Sequence, residues 1–405
     1  MQLAFRLPLL MPRHYKWYVV AMLWWIAFFN YADRQAIFSV FPLLKKEFAL
    51  DQVQLGLLGS AFAWIYGLSA PFAGAIVDRV RRKSAILAGL HVWSLICIAT
   101  AISRNFATLL FFRGAEALGE TFYFPASMSM LSDYHSPETR SRALGFHQTS
   151  VYVGTIAGGF FAGLIGQRYG WRWSFVVFGG LGILLGIALD KWLLEPARGL
   201  PGNIGAPPAG IGFLNPTALL LMAAFTCANF VALVLLSWMP AFLFEKFNLS
   251  LAASGLTATL FVQLASMAGS PASGWCADIL SRKTPGGRMW IQAIGLLCGA
   301  PFVVLCGWTR SVLLLIVALT AWGFFKGIYD ANIFASIFDV IPPDARGKAA
   351  GLMNMTGWLG GGVAPVAVGF VAQRSSLSTA IMLAATVYIL GAVLLCIAAM
   401  RMRRA

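Results

Sequence analysis

The sequence predicts an all-α membrane protein of twelve transmembrane helices in two pseudo-symmetric six-helix bundles. Its composition, its apolar segmentation and an internal repeat predict this. Of 405 residues, 59% are hydrophobic and 11% charged, and the mean hydropathy is +0.76. A soluble globular protein carries about 25% charged residues, so this chain has too few to coat a water-facing surface. Disorder requires low hydrophobicity and is excluded by the same figures. Lipid is the remaining solvent. A net charge of +15 would suggest nucleic acid in a soluble protein. Here the basic residues sit in short runs between apolar stretches, as topology signals do, so no nucleic-acid partner is expected.

A spanning helix needs about 20 apolar residues. Twelve stretches qualify: 17–42, 53–76, 84–102, 106–132, 143–166, 173–194, 216–243, 252–277, 289–308, 311–338, 349–372 and 376–400. The first follows Arg6, Arg13 and Lys16 and lacks a small-residue cleavage site, so it reads as a retained helix. The one long break, 195–215, is rich in Gly and Pro and reads as a linker. It divides an N-terminal bundle (1–194) from a C-terminal bundle (216–405). With both termini on the inner side, nineteen basic residues lie inside and eight outside, with Arg34, Arg113 and Lys326 left within helices, out of 30. That bias predicts cytoplasmic termini in a cell or inner membrane.

The halves repeat each other. Asp78, Arg82 and Lys83 match Asp278, Arg282 and Lys283 at offset 200. The run Pro137 to Arg142 matches Pro343 to Lys348 at offset 206, and Gly145 with Gly351 and Gly154 with Gly360 keep that register. Parallel repeats of this size build transporters whose substrate site lies near the midplane. The six cysteines lie inside apolar stretches without a CxxC pair, and the four histidines lack ligand spacing. Neither set suggests a metal or a disulfide.

After the second segment comes Gly74-Ala-Ile-Val-Asp78-Arg79-Val-Arg81-Arg82-Lys83. It resembles the signature loop of the major facilitator superfamily, G-x-x-x-D-R-x-G-R-R, with Arg81 in place of Gly and Lys83 in place of Arg. A weaker copy runs from Gly274 through Asp278 to Arg282 and Lys283. An Asp at a helix end can pair with nearby cations and latch one face closed; the plainer alternative is a positive-inside anchor. Gly74, Asp78, Arg79, Arg82, Arg140, Asp278, Arg282 and Arg346 are therefore the expected cytoplasmic gate. Asn30-Tyr31-Ala-Asp33-Arg34 and Gly119-Glu120-Thr-Phe-Tyr-Phe-Pro125-Ala-Ser resemble two branches of that superfamily. One comprises the anion:cation symporters of sugar acids and other organic anions, the other the spinster-like carriers. Ser132 to Tyr134 leans to the second, and Gly351 to Gly361 to the first; the branch stays open.

The resemblance implies a cavity lined by the first, fourth, seventh and tenth segments. The intramembrane charges fall on three of these: Asp33 and Arg34; Arg113, Glu116 and Glu120; Lys326 and Asp330. A charge at bilayer depth costs at least about 2.5–3.5 kcal/mol and is by default a functional candidate. Arg113, Glu116 and Glu120 share one helix face, and Lys326 can pair with Asp330 one turn on. Three carboxylates on the first and fourth segments face only two arginines, so one carboxylate lacks a partner. The resemblance implies proton coupling by Asp33 and Glu120, with Glu116 beside them; a fixed ion-pair network is the alternative. Arg34 and Arg113 suit a substrate carboxylate, or pairing with Asp33 and Glu116. Tyr31, Tyr123, His147, Gln148, Asn229, Gln263, Tyr329, Asn332 and Asn354 are further polar cavity candidates. His147 can titrate near neutral pH or be satisfied by a neighbouring helix. Glycines 154, 158, 159, 357 and 360–362 suit close, mobile helix contacts.

The expected function is secondary active transport of a small solute by alternating access, coupled to protons and directed to an organic anion. A carrier of an amphipathic lipid-like molecule is the alternative. No nucleophile constellation, HExxH or Walker motif points to an enzyme or an ATP-driven pump. The expected partners are substrate, H+ and the bilayer, with no cofactor, for a monomer.

Overall fold

Lipid offers a backbone no water, so each apolar segment must satisfy its own N–H and C=O groups by coiling into a helix. The computed structural model describes residues 14–196, 215–342 and 345–402. In the first half α1 (Tyr15–Ser39) is followed by the short α2 (Phe41–Phe48), then α3 (Gln52–Val77) and α4 (Arg82–Thr100). The fourth span is broken into α5 (Phe106–Glu120) and α6 (Tyr123–Tyr134), and α7 (Pro137–Tyr169) and α8 (Trp171–Trp192) complete the bundle. The second half has α9 (Pro216–Phe247), α10 (Leu251–Lys283) and α11 (Gly287–Trp308). Two broken spans follow, α12 (Val312–Asp330) with α13 (Ile333–Val340) and α14 (Arg346–Gly361) with α15 (Val363–Arg374), before α16 (Leu377–Met402). The fold is the expected twelve-span, two-bundle architecture. Most of the expected linker, residues 197–214, lies outside the described residues.

Among the described residues, ten spans are long and apolar enough to cross a membrane unaided. The two others, α1 and α5–α6, are the ones holding Asp33, Arg34, Arg113, Glu116 and Glu120. Two of the breaks have a proline cause. Pro125 and Pro365 each lack an N–H and crowd the carbonyl four residues back, which falls at Thr121 and Gly361, where the helices part. The first span stops at Val40, and α2 restarts with Pro42 in its first turn. No proline explains the break at Ala331–Asn332, where the Asn332 amide donates to Ser273 Oγ at 2.6 Å.

The two bundles meet at the α2 end and stand apart at the Tyr15 end. At the α2 end α7 lies against α10, and α3 against α15. A Cβ added to Gly255 would sit 1.9 Å from the Gly159 carbonyl oxygen, and one added to Gly56 would sit 2.3 Å from that of Pro365. Only glycine permits such backbone approach. The Phe41 ring meets Trp238 edge-on at 5.6 Å, and Lys45 pairs with Glu245 at 2.8 Å, both across the seam. At the Tyr15 end, Cβ atoms added to Gly74, Gly145, Gly274 and Gly351 would meet nothing within 4 Å.

Gly255→Leu should hold the α2 end apart. Ser39, 1% exposed and beside Gly255, reports on it. In a chain freed of its native cysteines, Ser39→Cys should react with an impermeant maleimide at least about tenfold faster when Gly255→Leu is present. An unchanged rate would show that this seam does not control access.

Candidate substrate and coupling site

Adjacent residues on a helix point to different faces, and this separates Asp33 from Arg34. Asp33 turns into its own bundle and is fully buried, with its carboxylate, the Cys97 thiol and the Glu116 carboxylate within 4.8 Å of one another. Neither Asp33 oxygen has a hydrogen bond of ordinary geometry, although the Trp93 indole lies beside the carboxylate, and no cation pairs with it among the described residues. Arg34 turns toward the gap between bundles. Its Nη2 and Nε bond Glu120 Oε2 at 2.6 and 3.1 Å, and Nη2 also reaches Asn30 Oδ1 at 3.3 Å. Four rings surround the guanidinium: Tyr31 at 4.7 Å, Phe62 at 4.8 Å, Tyr66 at 4.9 Å and Trp358 at 5.2 Å. Trp358 belongs to the second bundle. Such faces stabilise a desolvated cation. Arg34 Nη1 is left without a hydrogen-bond partner.

Arg113 is 1% exposed and lies behind this layer. It bonds Glu116 at 2.6 Å and donates to the Arg34 carbonyl at 2.9 Å, with the Phe62 ring 4.4 Å away. It therefore ties α5 to α1 and positions Arg34 instead of lining the cavity. The expected Arg113–Glu116 pair is present. The expected pairing of Arg34 with Asp33 is corrected: Glu120 takes that guanidinium, because Asp33 faces elsewhere. A hard cation takes about six oxygen ligands. Asp33, Cys97 and Glu116 fall short of that, and Glu116 already bonds a guanidinium.

The other candidates separate by place. Tyr31 is half-buried over Arg34, and Lys326 pairs with Asp330 at the end of α12, their side chains 16% and 39% exposed. Tyr123 and His147 are both 2% exposed and bond each other at 2.7 Å, and the Tyr123 hydroxyl donates to the Leu23 carbonyl at 2.6 Å. They form an internal strut of the first bundle, with His147 satisfied by α6. Tyr329 is corrected likewise. It is 1% exposed and packed in the second bundle's core, not on the cavity. Gln148 is exposed, Gln263 is buried, and Asn354 is half-buried. Asn229 donates to the Phe225 carbonyl at 3.0 Å and packs against Gly357 and Gly361. Phe62, Tyr66 and Trp358 were not among the candidates; an aromatic ring in an apolar helix carries no signal until a cation is seen beneath it.

The expected gate residues sit at the Tyr15 end, with a different pairing. Asp78 and Arg79 are exposed, and Arg82 pairs with Asp133 instead of Asp78. Glu195 accepts from the Arg82 and Lys83 backbone N–H groups at 2.8 and 2.7 Å, capping α4. Asp278 meets Arg288 at 3.3 Å, not Arg282, and Arg288 also holds Asp339 at 2.7 Å. Arg140 donates to the Ser132 carbonyl at 3.2 Å, and Arg346 to the Phe338 carbonyl at 3.0 Å. Among the described residues, Lys45–Glu245 is the ion pair that joins the two bundles, and it lies at the other end.

The family model described as Major Facilitator Superfamily matches residues 23–291 and 286–404. The chain belongs to the major facilitator superfamily. It is a multi-pass membrane transporter. It is 25% identical to a hexuronate transporter of Bacillus subtilis over 90% of each chain. It is 24% identical to a D-galactonate transporter of Escherichia coli O6:H1, covering 94% of this chain and 95% of that one. A solved structure of a bacterial homolog of the human lysosomal transporter Spinster, inward-facing and occupied, superposes with a TM-score of 0.85. That likeness spans 97% of this chain and 98% of the other at 20% identity. The relatives thus fall in both branches that the sequence resembles.

Removing one member of a buried ion pair strands the other at a cost of about 3–5 kcal/mol, whereas replacing both by apolar groups is often neutral. Arg113→Met should therefore lower the melting temperature of this superfamily member in detergent markedly. Arg113→Met with Glu116→Leu should recover most of the loss. Equal melting of the single and double variants would show that the pair is not compensated as described.

Proposed function

We propose that this protein is a proton-coupled transporter of an organic anion, working by alternating access with both termini in the cytoplasm. The observation that carries this reading is the unpartnered, fully buried Asp33 beside the Arg34–Glu120 pair. An ionised carboxylate without a counter-ion costs several kcal/mol in a protein interior, and a bound proton removes that cost. Glu120 occupies the guanidinium that a substrate carboxylate would use. Proton binding at Glu120 weakens its grip, and Arg34 turns its free Nη1 and the vacated edge to the incoming anion. Glu116 stays with Arg113 and holds α5 in place. The names of the relatives favour sugar acids as the class of anion.

With the bundles joined at the α2 end and apart at the Tyr15 end, the site opens to the side that carries the termini. The basic bias of that side supports a cytoplasmic opening. Asp78 and Asp278, exposed at the parted end, are placed to latch it once the bundles rock together. The face of α1 that bears Gln35 and Ser39 continues through Phe28, Trp25 and Tyr18, with Trp25 49% and Tyr18 60% exposed. That apolar wall favours, as a second reading, an amphipathic lipid-like cargo.

In proteoliposomes, a pH gradient should drive accumulation of D-galactonate by the parent protein. Asp33→Asn and Glu120→Gln should each cut accumulation against a gradient at least about tenfold while counterflow exchange persists. Accumulation by both variants equal to the parent would overturn the coupling assignment. Uptake of a lysolipid but of no sugar acid would favour the second reading.

A further inference from the structure

The second bundle holds an ion pair that the coupling chemistry does not use. Lys326 and Asp330 bond each other at the end of α12, one turn apart, with side chains 16% and 39% exposed. Their place follows from the repeat. Helix α5 starts at Phe106 and α12 at Val312, an offset of 206 that also relates Arg140 to Arg346 and Gly145 to Gly351. The same offset carries Glu120 onto Lys326. Lys326 is thus the counterpart of the residue that grips Arg34, and it faces the gap from the opposite side.

The other bundle comes close at this point. Tyr152 of α7, half-buried, lies within electrostatic range of Lys326, Asp330 and Tyr31, and Tyr31 lies over Arg34. Arg34, Tyr31 and Tyr152 of the first bundle therefore lie across the gap from Lys326 and Asp330 of the second, with Tyr152 within electrostatic reach of them. The two ends differ in kind. At the Arg34 end a carboxylate can be accepted once Glu120 is protonated. At the Lys326 end the cation is already neutralised by its neighbour. What that end offers is hydrogen bonding without net charge: ammonium N–H groups to donate, carboxylate lone pairs to accept, and a phenol that does both. Adjacent donors and acceptors match the vicinal hydroxyls of a polyol. A second anionic group there would face the Asp330 carboxylate, and an alkyl tail would leave the donors and acceptors that the Lys326–Asp330 bond does not use without partners.

We propose that Lys326, Asp330 and Tyr152 form the specificity pole of the substrate site. They would select an acid with one carboxylate and a neutral polyhydroxy tail, an aldonate, over an aldarate with two carboxylates and over a plain fatty acid. This rests on the reading of the protein as an organic-anion transporter and names the class of anion.

The test is competition for pH-driven uptake in proteoliposomes between D-galactonate, galactarate of the same carbon skeleton, and hexanoate. The parent should prefer galactonate over each rival by at least about tenfold, as sites built around substrate hydroxyls do. Asp330→Asn bares the Lys326 charge and should shift the galactonate-to-galactarate ratio toward galactarate by about tenfold. Lys326→Gln should lower the preference for galactonate over hexanoate. Tyr152→Phe removes a single oxygen, leaves the ion pair in place, and should lower that same preference. It also supplies the readout if either charge variant fails to fold. An unmoved galactonate-to-galactarate ratio in folded Asp330→Asn, or a parent that prefers galactarate or hexanoate, overturns the specificity pole while leaving proton-driven anion transport standing. Failure of the parent to take up any acid overturns both.

Discussion

A charge taken out of water must be matched by another, and this constraint shapes the first bundle. Desolvating an ion costs several kcal/mol after relaxation, more than one packing contact returns. Arg34 meets the cost with Glu120 and four aromatic faces, and Arg113 meets it with Glu116 and the Arg34 carbonyl. These bonds run between α1 and α5, so the two least apolar spans are held by each other. Trp358 brings the second bundle into the same contact. Asp33 is the one charge left unmatched among these five, and so it is the place where a proton has most effect.

The joint between the bundles obeys a different rule. Helices in lipid gain little from burying apolar surface against each other, because lipid tails are apolar too; close packing of small residues does the work. Gly159 against Gly255 and Gly56 against Pro365 bring backbones together at the α2 end. At these glycine contacts no side chain has to be ordered, and parting there must break the edge-on Phe41–Trp238 contact and the Lys45–Glu245 pair beside them. The repeated glycines near the Tyr15 ends of α3 and α10, Gly74 and Gly274, face open space. A pair of bundles that meet through small residues can part at one end and close at the other around the charged centre.

Much of this was legible in the sequence, for reasons that differ by residue. Ten of the twelve spans follow from hydropathy alone, which acts through the solvent and needs no tertiary information. Pro125 and Pro365 mark two of the helix breaks, since a missing N–H is a local fact. The Lys326–Asp330 and Arg113–Glu116 pairs were readable because helical spacing places each pair on one face. Arg34 was harder. Asp33 is its neighbour in sequence, yet its partner Glu120 lies on another helix, and only packing brings the two together. Tyr329 and Tyr123 illustrate the converse: a polar residue on a cavity helix still points away from the cavity on most of its turns, and these two are buried. The gate departed in its pairing. Asp133 took Arg82 and Asp339 took Arg288, while Glu195 capped the backbone of α4, because these acids end neighbouring helices at the same depth, which chain order does not reveal.

The sequence alone determined that the chain lives in lipid, that it is built twice over, and that its charges concentrate on the central helices. Those properties come from composition, period and repeat, each of which is a property of a single strand of chain. The tertiary structure decided which carboxylate stands alone, which rings enclose the Arg34 guanidinium, and which end of the molecule is closed. Each of these depends on distances between segments far apart in the chain, and such distances are set by how helices pack.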